Sequence, residues 1–218
     1  MAGYRVHINT VRKYMPVKPK NTPGGNWKNF LDLHASQIAA MDYFVVPTWN
    51  FTPLYVFFII QHSTRQVLHI NVTAHPNMVW LRQNLKEAFA DSLACPKYLV
   101  HDNDPAFVHS KQFMESVLSI TPLKTSPHSP WQNGFAERFV GTIRRELTDH
   151  LIPLSENHLR RLVTEYIRYY NEDRTHSSIK RDSPFGRPRA DKPPDGPLAA
   201  VSRVRGLHHR YFPVEKAA

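Results

Sequence analysis

Between Leu54 and Ile60 the chain reads Leu-Tyr-Val-Phe-Phe-Ile-Ile, seven residues with no charge and no polar alternation. A run this short and apolar on both faces is a strand covered from two sides. The chain must therefore build layers on both faces of a sheet. Its neighbours supply further strands. The stretch from Gln37 to Pro47 is mostly apolar, and Val67 to Thr73 puts Leu68, Ile70 and Val72 on one face, as a half-exposed strand does. With His62–Arg65 as a turn, the three read as an antiparallel meander.

Helical spacing takes over downstream. Val79, Leu81, Leu85, Ala88 and Phe89 predict a helix from Asn77 to Leu93. A fourth strand, Lys97 to His101, runs into Asp102-Asn103-Asp104. A helix over 110–118 and a short strand from Pro122 to Thr125 follow. Two more helices are expected, from Phe135 to His150 and from Ser155 to Asn171. The second has a cap at Ser155 and a stripe of Leu159, Leu162, Val163, Tyr166, Ile167 and Tyr170. The fold class is α/β: a mixed five-stranded sheet, three antiparallel strands then two parallel ones, with flanking helices.

Charge is unevenly distributed along the 218 residues, whose net charge is +10. Residues 1–30 hold six basic and no acidic side chains, residues 31–137 six basic and eight acidic, and residues 138–218 sixteen basic and ten acidic. A slightly acidic centre between basic flanks suits a protein that grips phosphate at its periphery and keeps carboxylates for other work. Cys95 is the single cysteine, which excludes an internal disulfide and a Cys-based zinc site. No apolar run reaches the roughly 18 residues of a membrane span, and Met1–Thr10 has no signal-peptide core. The expectation is an intracellular, soluble protein with no membrane partner. Thr10 to Met15 reads as the last turns of a helix, residues 16–30 as a basic Pro/Gly/Lys linker, and residues 183–218 as a Pro/Arg-rich basic tail. In that tail His208-His209 reads as a solvated basic patch. No GxxxxGK[ST], GxSxG, HExxH or CxxC string is present.

Three carboxylates stand out by position. Asp42 interrupts an apolar strand, where a charge is costly unless a cation or hydrogen bonds meet it. Asp102 lies where the fourth strand ends, the edge at which open α/β sheets place their sites. Glu137 falls in the first turn of a helix entered from a Gly-containing loop, where the helix dipole favours a carboxylate. Singly, Asp102 serves equally as a turn former and Glu137 as a helix-start residue.

Taken together, Asp42, Asp102 and Glu137, with 34 residues between the last two, resemble the DDE signature of retroviral-type integrases and insertion-sequence transposases. Three strings carry the resemblance. His101-Asp102-Asn103-Asp104-Pro105-Ala106-Phe107 is similar to the D-N-G-x-x-F segment, with Asp104 in place of Gly and therefore a rival second carboxylate. Ser126 through Phe139 is similar to the SP-x-x-P-x-x-N-x-x-(A/V)-E-R-F segment. Tyr169 through Ser178 resembles the Y-N-x-x-R-x-H element of bacterial members. The resemblance spans residues 31–182 and implies a ribonuclease H-like catalytic core there. Residues 1–15 resemble the remnant of an upstream helix-turn-helix module.

The resemblance implies a DNA transposase or integrase that cleaves and transfers strands. Asp42, Asp102 and Glu137 would be the catalytic metal ligands, holding two Mg²⁺ ions for which Mn²⁺ substitutes. Other implied properties are DNA partners (element ends and target), at least a dimer on DNA, and a prokaryotic, nucleoid-associated cytoplasmic setting. Positions 137, 141, 144 and 145 share a helix face, so Arg144 and Arg145 are candidate phosphate contacts unless they pair with Glu146 or Asp149. Arg138, and Gln132 and Asn133 on the preceding loop, are further DNA candidates. Arg174 either contacts DNA or, with His176, locks the last helix to the core. The alternatives are a non-catalytic DNA-binding remnant of a truncated transposase and a ribonuclease H-like nuclease.

Overall fold

The computed structural model describes His7 and residues 24–89, 95–126, 130–187 and 197–214. The chain divides into two units, Met1–Leu33 and His34–Ala218. In the first unit, helix α1 spans Gly24–Leu33, so the second part of the expected linker is helical. Trp27, Phe30 and Leu31 already stand at helical spacing there, beneath the Pro/Gly/Lys composition that suggested a linker. The helix end expected at Thr10–Met15 lies outside the described residues.

The second unit is built on five strands: β1 (Ile38–Pro47), β2 (Pro53–Gln61), β3 (Val67–Thr73), β4 (Tyr98–His101) and β5 (Thr121–Lys124). They lie in the order β3-β2-β1-β4-β5. The pairs β1–β2 and β2–β3 are antiparallel, whereas β1–β4 and β4–β5 are parallel. This is the mixed sheet expected from the sequence. The doubly apolar strand β2 is interior, with Val56 to Ile60 all buried. The middle strand of the five is β1, which carries Asp42.

Alternation along the strands sorts side chains onto two faces. Ala39, Met41, Phe57, Ile59 and Leu99 face one core, where they meet Leu81, Leu85 and Phe89 of α2 (Met78–Phe89). Phe107 of α3 (Pro105–His109) and Met114 of α4 (Lys111–Val117) complete that layer. On the other face Phe58 packs on Phe139 of α5 (Gly134–Glu146), ring centroids 4.6 Å apart. Phe139 in turn meets Tyr170 of α6 (Glu156–Glu172) edge-on at 5.3 Å. Helix α6 starts where the sequence placed its cap: Ser155 accepts a hydrogen bond from the His158 amide. Helix α5 stops at Glu146, and Thr148–His150 continues only as a 3-10 turn.

The C-terminal stretch is more ordered than a tail. Residues Leu198–Arg203 (β6) and His208–Pro213 (β7) pair as an antiparallel hairpin. Val204 in its turn is buried. Arg203 donates to Asp173 Oδ2 at 2.9 Å and to Glu172 Oε2 at 3.1 Å. His208, expected in a solvated patch, stacks on Tyr169 at 4.3 Å, and its Nε2–H donates to the Glu146 carbonyl at 2.9 Å. Charged contacts to the end of α6 hold this hairpin, and such contacts leave no local periodicity in the sequence.

Candidate active site

Strand register brings two of the three carboxylates together. In the parallel pair β1–β4, Ala39 lies opposite Leu99 and Ala40 opposite Val100. Continued by two residues, this register sets Asp42, in mid-strand, level with Asp102, just past the end of β4, on adjacent chains about 4.8 Å apart in the pairing direction. Asp42 also lies directly across from Phe58 in the antiparallel pair β1–β2. It therefore shares the sheet face on which α5 packs, and the first turn of α5 carries Glu137.

Asp42 is half-buried, and its Oδ1 accepts one hydrogen bond, from the next residue's amide (Tyr43) at 2.8 Å. Burial pushes its pKa up to about 7, against the pull of that amide, and the negative charges of Asp102, Glu137 and Asp104 push the same way. All three neighbours are thus near enough to be felt. Asp102 Oδ1 accepts from the Asp104 amide at 2.9 Å, an Asx turn that fixes the loop leaving β4. His101, held below its usual pKa chiefly by burial, donates from Nδ1 to the Asp102 carbonyl at 2.7 Å. Asp104 is occupied in the fold itself. Its Oδ1 accepts from the Ala106 amide at 2.7 Å and caps α3, with Pro105 in the first turn.

Glu137 is exposed. Among the described residues, no Lys or Arg forms an ion pair with Asp42, Asp102 or Glu137. Nor are three His, Cys, Asp or Glu side chains among them gathered at metal-ligand distance. Asp42 and Asp102 each direct one carboxylate oxygen to a backbone amide. As a donor set they fit a hard divalent cation: all oxygen, without an ion-pair partner among the described residues, and carried by β1, the end of β4 and the first turn of α5.

The remaining site candidates fall into separate places. Gln132 Oε1 accepts from the Ser126 amide at 2.6 Å, bridging the base of the loop before α5. Asn133 is buried, and neither its side-chain oxygen nor its nitrogen has a hydrogen-bond partner. Arg138, Arg144 and Arg145 are exposed on α5. Neither Arg144 nor Arg145 is paired to Glu146 or Asp149 among the described residues. Arg144 borders a groove of about 810 Å³ walled by Trp49, Phe51 and Ile152. At Gly141 an added Cβ would meet only the Arg145 guanidinium, at 3.3 Å.

Arg174 is committed within the fold. Its Nε and Nη2 donate to both oxygens of Glu146 at 2.7–3.0 Å, while the Tyr166 hydroxyl donates to Oε2 at 2.9 Å. Burial alone would raise the Glu146 pKa, but Arg174 and Tyr166 hold it below the usual value. His176 is buried against the Tyr170 ring at 4.6 Å. One arginine stands out in the structure and not in the sequence, where it is only part of a turn. Arg65, between β2 and β3, lies over the Phe135 ring at 3.8 Å, a cross-element contact with no sequence signal.

Known proteins resemble this chain in sequence and in fold. The family model described as "Integrase core domain" matches residues 118–184, the segment with Glu137 and the Arg174–Glu146 pair. Uncharacterized proteins of insertion element IS136 from Agrobacterium fabrum and Agrobacterium tumefaciens are 28% identical over 145 residues. That alignment covers 62% of this chain and 74% of each relative. Among solved structures, the catalytic core domain of HTLV-2 integrase in complex with magnesium matches with a TM-score of 0.55 at 15% identity. It covers 71% of this chain and 97% of that one. The simian T-cell lymphotropic virus intasome, solved in complex with a PP2A regulatory subunit, matches with a TM-score of 0.56 at 18% identity, over 82% and 67% of the two chains. No helix among the described residues is long and apolar enough to cross a membrane. In its fold, in its 118–184 segment and in its insertion-element relatives, the chain resembles the catalytic cores of integrases and transposases.

Proposed function

We propose that this chain is the catalytic core of a DNA transposase or integrase that cuts and rejoins phosphodiesters at Asp42, Asp102 and Glu137. The observation that carries the reading is Asp42, half-buried in the middle strand with no Lys or Arg partner among the described residues and near enough to Asp102 and Glu137 to feel their charge. Burial and neighbouring negative charge push Asp42 up to about 7, an arrangement costly for stability and useful to a cation site. The three would hold two divalent cations, Mg²⁺ or Mn²⁺, which when bound supply charge stabilisation of the attacked phosphodiester and activation of a water or 3′-hydroxyl.

The chain's own residues do the rest. Asp42 gives up its proton to become a full anion. Asp102 keeps its position through the Asx turn, with one oxygen committed to the loop and the other free. Glu137 is supplied by the first turn of α5. Arg144 and Arg145 offer guanidinium forks to DNA phosphates beside the site, and Arg138 does so on the adjacent flank. The DNA partners are element ends and target, and joining two ends in one event calls for at least two copies of the chain. The setting is the bacterial cytoplasm, on the chromosome.

Incubation with supercoiled plasmid and Mn²⁺ or Mg²⁺ tests this without knowledge of the cognate ends. Metal-dependent nicked circles that vanish in Glu137→Gln are expected. Equal DNA binding by both proteins with no nicking by either would instead favour a non-catalytic remnant.

A further inference from the structure

The turn between β2 and β3, the start of α5 and the loop after α6 enclose a cleft of about 400 Å³. At ~30 Å³ per water, that is room for a substantial polar group and its hydration. Four arginines line it, Arg65, Arg138, Arg174 and Arg181, and none of its lining residues is acidic. Arg174 is neutralised by Glu146. Among the described residues no carboxylate forms an ion pair with the other three.

Arg65 is also held in place. The Arg65 guanidinium lies over the Phe135 ring, and its Nε donates to Ser178 Oγ at 3.2 Å. Burial, and then the charge of Arg138, weigh against the Arg65 cation. A half-buried guanidinium fixed by an aromatic ring and a hydroxyl, with two exposed arginines beside it and no carboxylate in the lining, suits an anion. Planar forks suit the bidentate oxygens of a phosphate group. None of Asp42, Asp102 and Glu137 lines this cleft. This cleft is therefore separate from the carboxylates.

We propose that this arginine cleft, which none of Asp42, Asp102 and Glu137 lines, is a phosphate-binding site that holds the DNA backbone beside α5. Only the source of the phosphate rests on the reading of the chain as a DNA-cutting enzyme. The site itself rests on the cleft.

The test uses the full chain in EDTA, so that a failed carboxylate site cannot affect it. Binding of a labelled duplex of arbitrary sequence is measured against salt for wild type, Arg138→Gln, Arg181→Gln and the double variant. Lys111→Gln, on exposed α4, is the control for net charge. Each neutralised phosphate contributes ~0.9 to the slope of log K against log salt. The slope should become shallower by about that much per arginine and stay unchanged in the control. In a second arm, inorganic phosphate should raise the melting temperature of wild type but not of the double variant. A phosphate-dependent shift with unchanged DNA slopes would keep the site and assign it to free phosphate. DNA slopes and phosphate response both unchanged in the double variant, with its circular dichroism intact, would overturn the proposal. Plasmid nicking reports on the carboxylates independently of either result.

Discussion

Asp42 shows how a single charge in a strand ties stability to function. Its folded pKa of about 7 stands above the ordinary value of 3.8. Between those two values the folded chain holds a proton that the unfolded chain has lost. Unfolding free energy without metal must therefore fall as pH rises through that window, by at most ~1.4 kcal/mol per pH unit. Asp42→Asn is expected to remove this dependence and to raise the metal-free melting temperature at pH 7 and above; urea titrations at pH 4 to 8 check it. This residue was legible in the sequence because an unpaired charge among Ala39–Met41 and Phe44–Val46 is costly, whatever the fold. Asp102 was legible from the strand end and Glu137 only through the motif around it. Arg65 was not legible, because its contact with Phe135 joins segments 70 residues apart in sequence and a basic residue in a turn is ordinary.

At the scale of elements, the strands and long helices follow from hydrophobic spacing, which acts over a few residues. The C-terminal hairpin does not. Its strands are largely exposed and it is fixed by Arg203 and Arg210 around Asp173, whose side chain is nearly inaccessible. Composition rich in Pro and Arg therefore suggested a tail, while the decisive contacts were ion pairs to another helix. Asp173→Asn leaves Arg203 without its buried charge partner and should cost on the order of 2 kcal/mol in denaturant unfolding. An unchanged midpoint would mean that the hairpin adds nothing to the stability of α6. The Glu146–Arg174 pair works likewise between α5 and the segment after α6. Helix α5 thus carries Glu137 at one end and an anchor to the second helical layer at the other.

Across the whole molecule, the mixed sheet places charge by topology. One parallel pairing, β1 with β4, sets two carboxylates level, and the packing of α5 on the same face adds the third. Solved integrase cores share this fold at 15–18% identity, so the topology persists while most side chains differ. Asp42, Asp102 and Glu137 are proposed to act as one divalent-cation site, whereas Asp104 caps α3. The most direct measurement is melting temperature against Mn²⁺ concentration, without DNA, for wild type and four single variants. A cation bound only by the folded chain raises stability by RT ln(1 + [L]/Kd). The wild type should gain melting temperature with Mn²⁺, Asp42→Asn, Asp102→Asn and Glu137→Gln should lose that gain, and Asp104→Asn should keep it. An undiminished gain in the first three variants, or its loss in Asp104→Asn alone, would contradict the account.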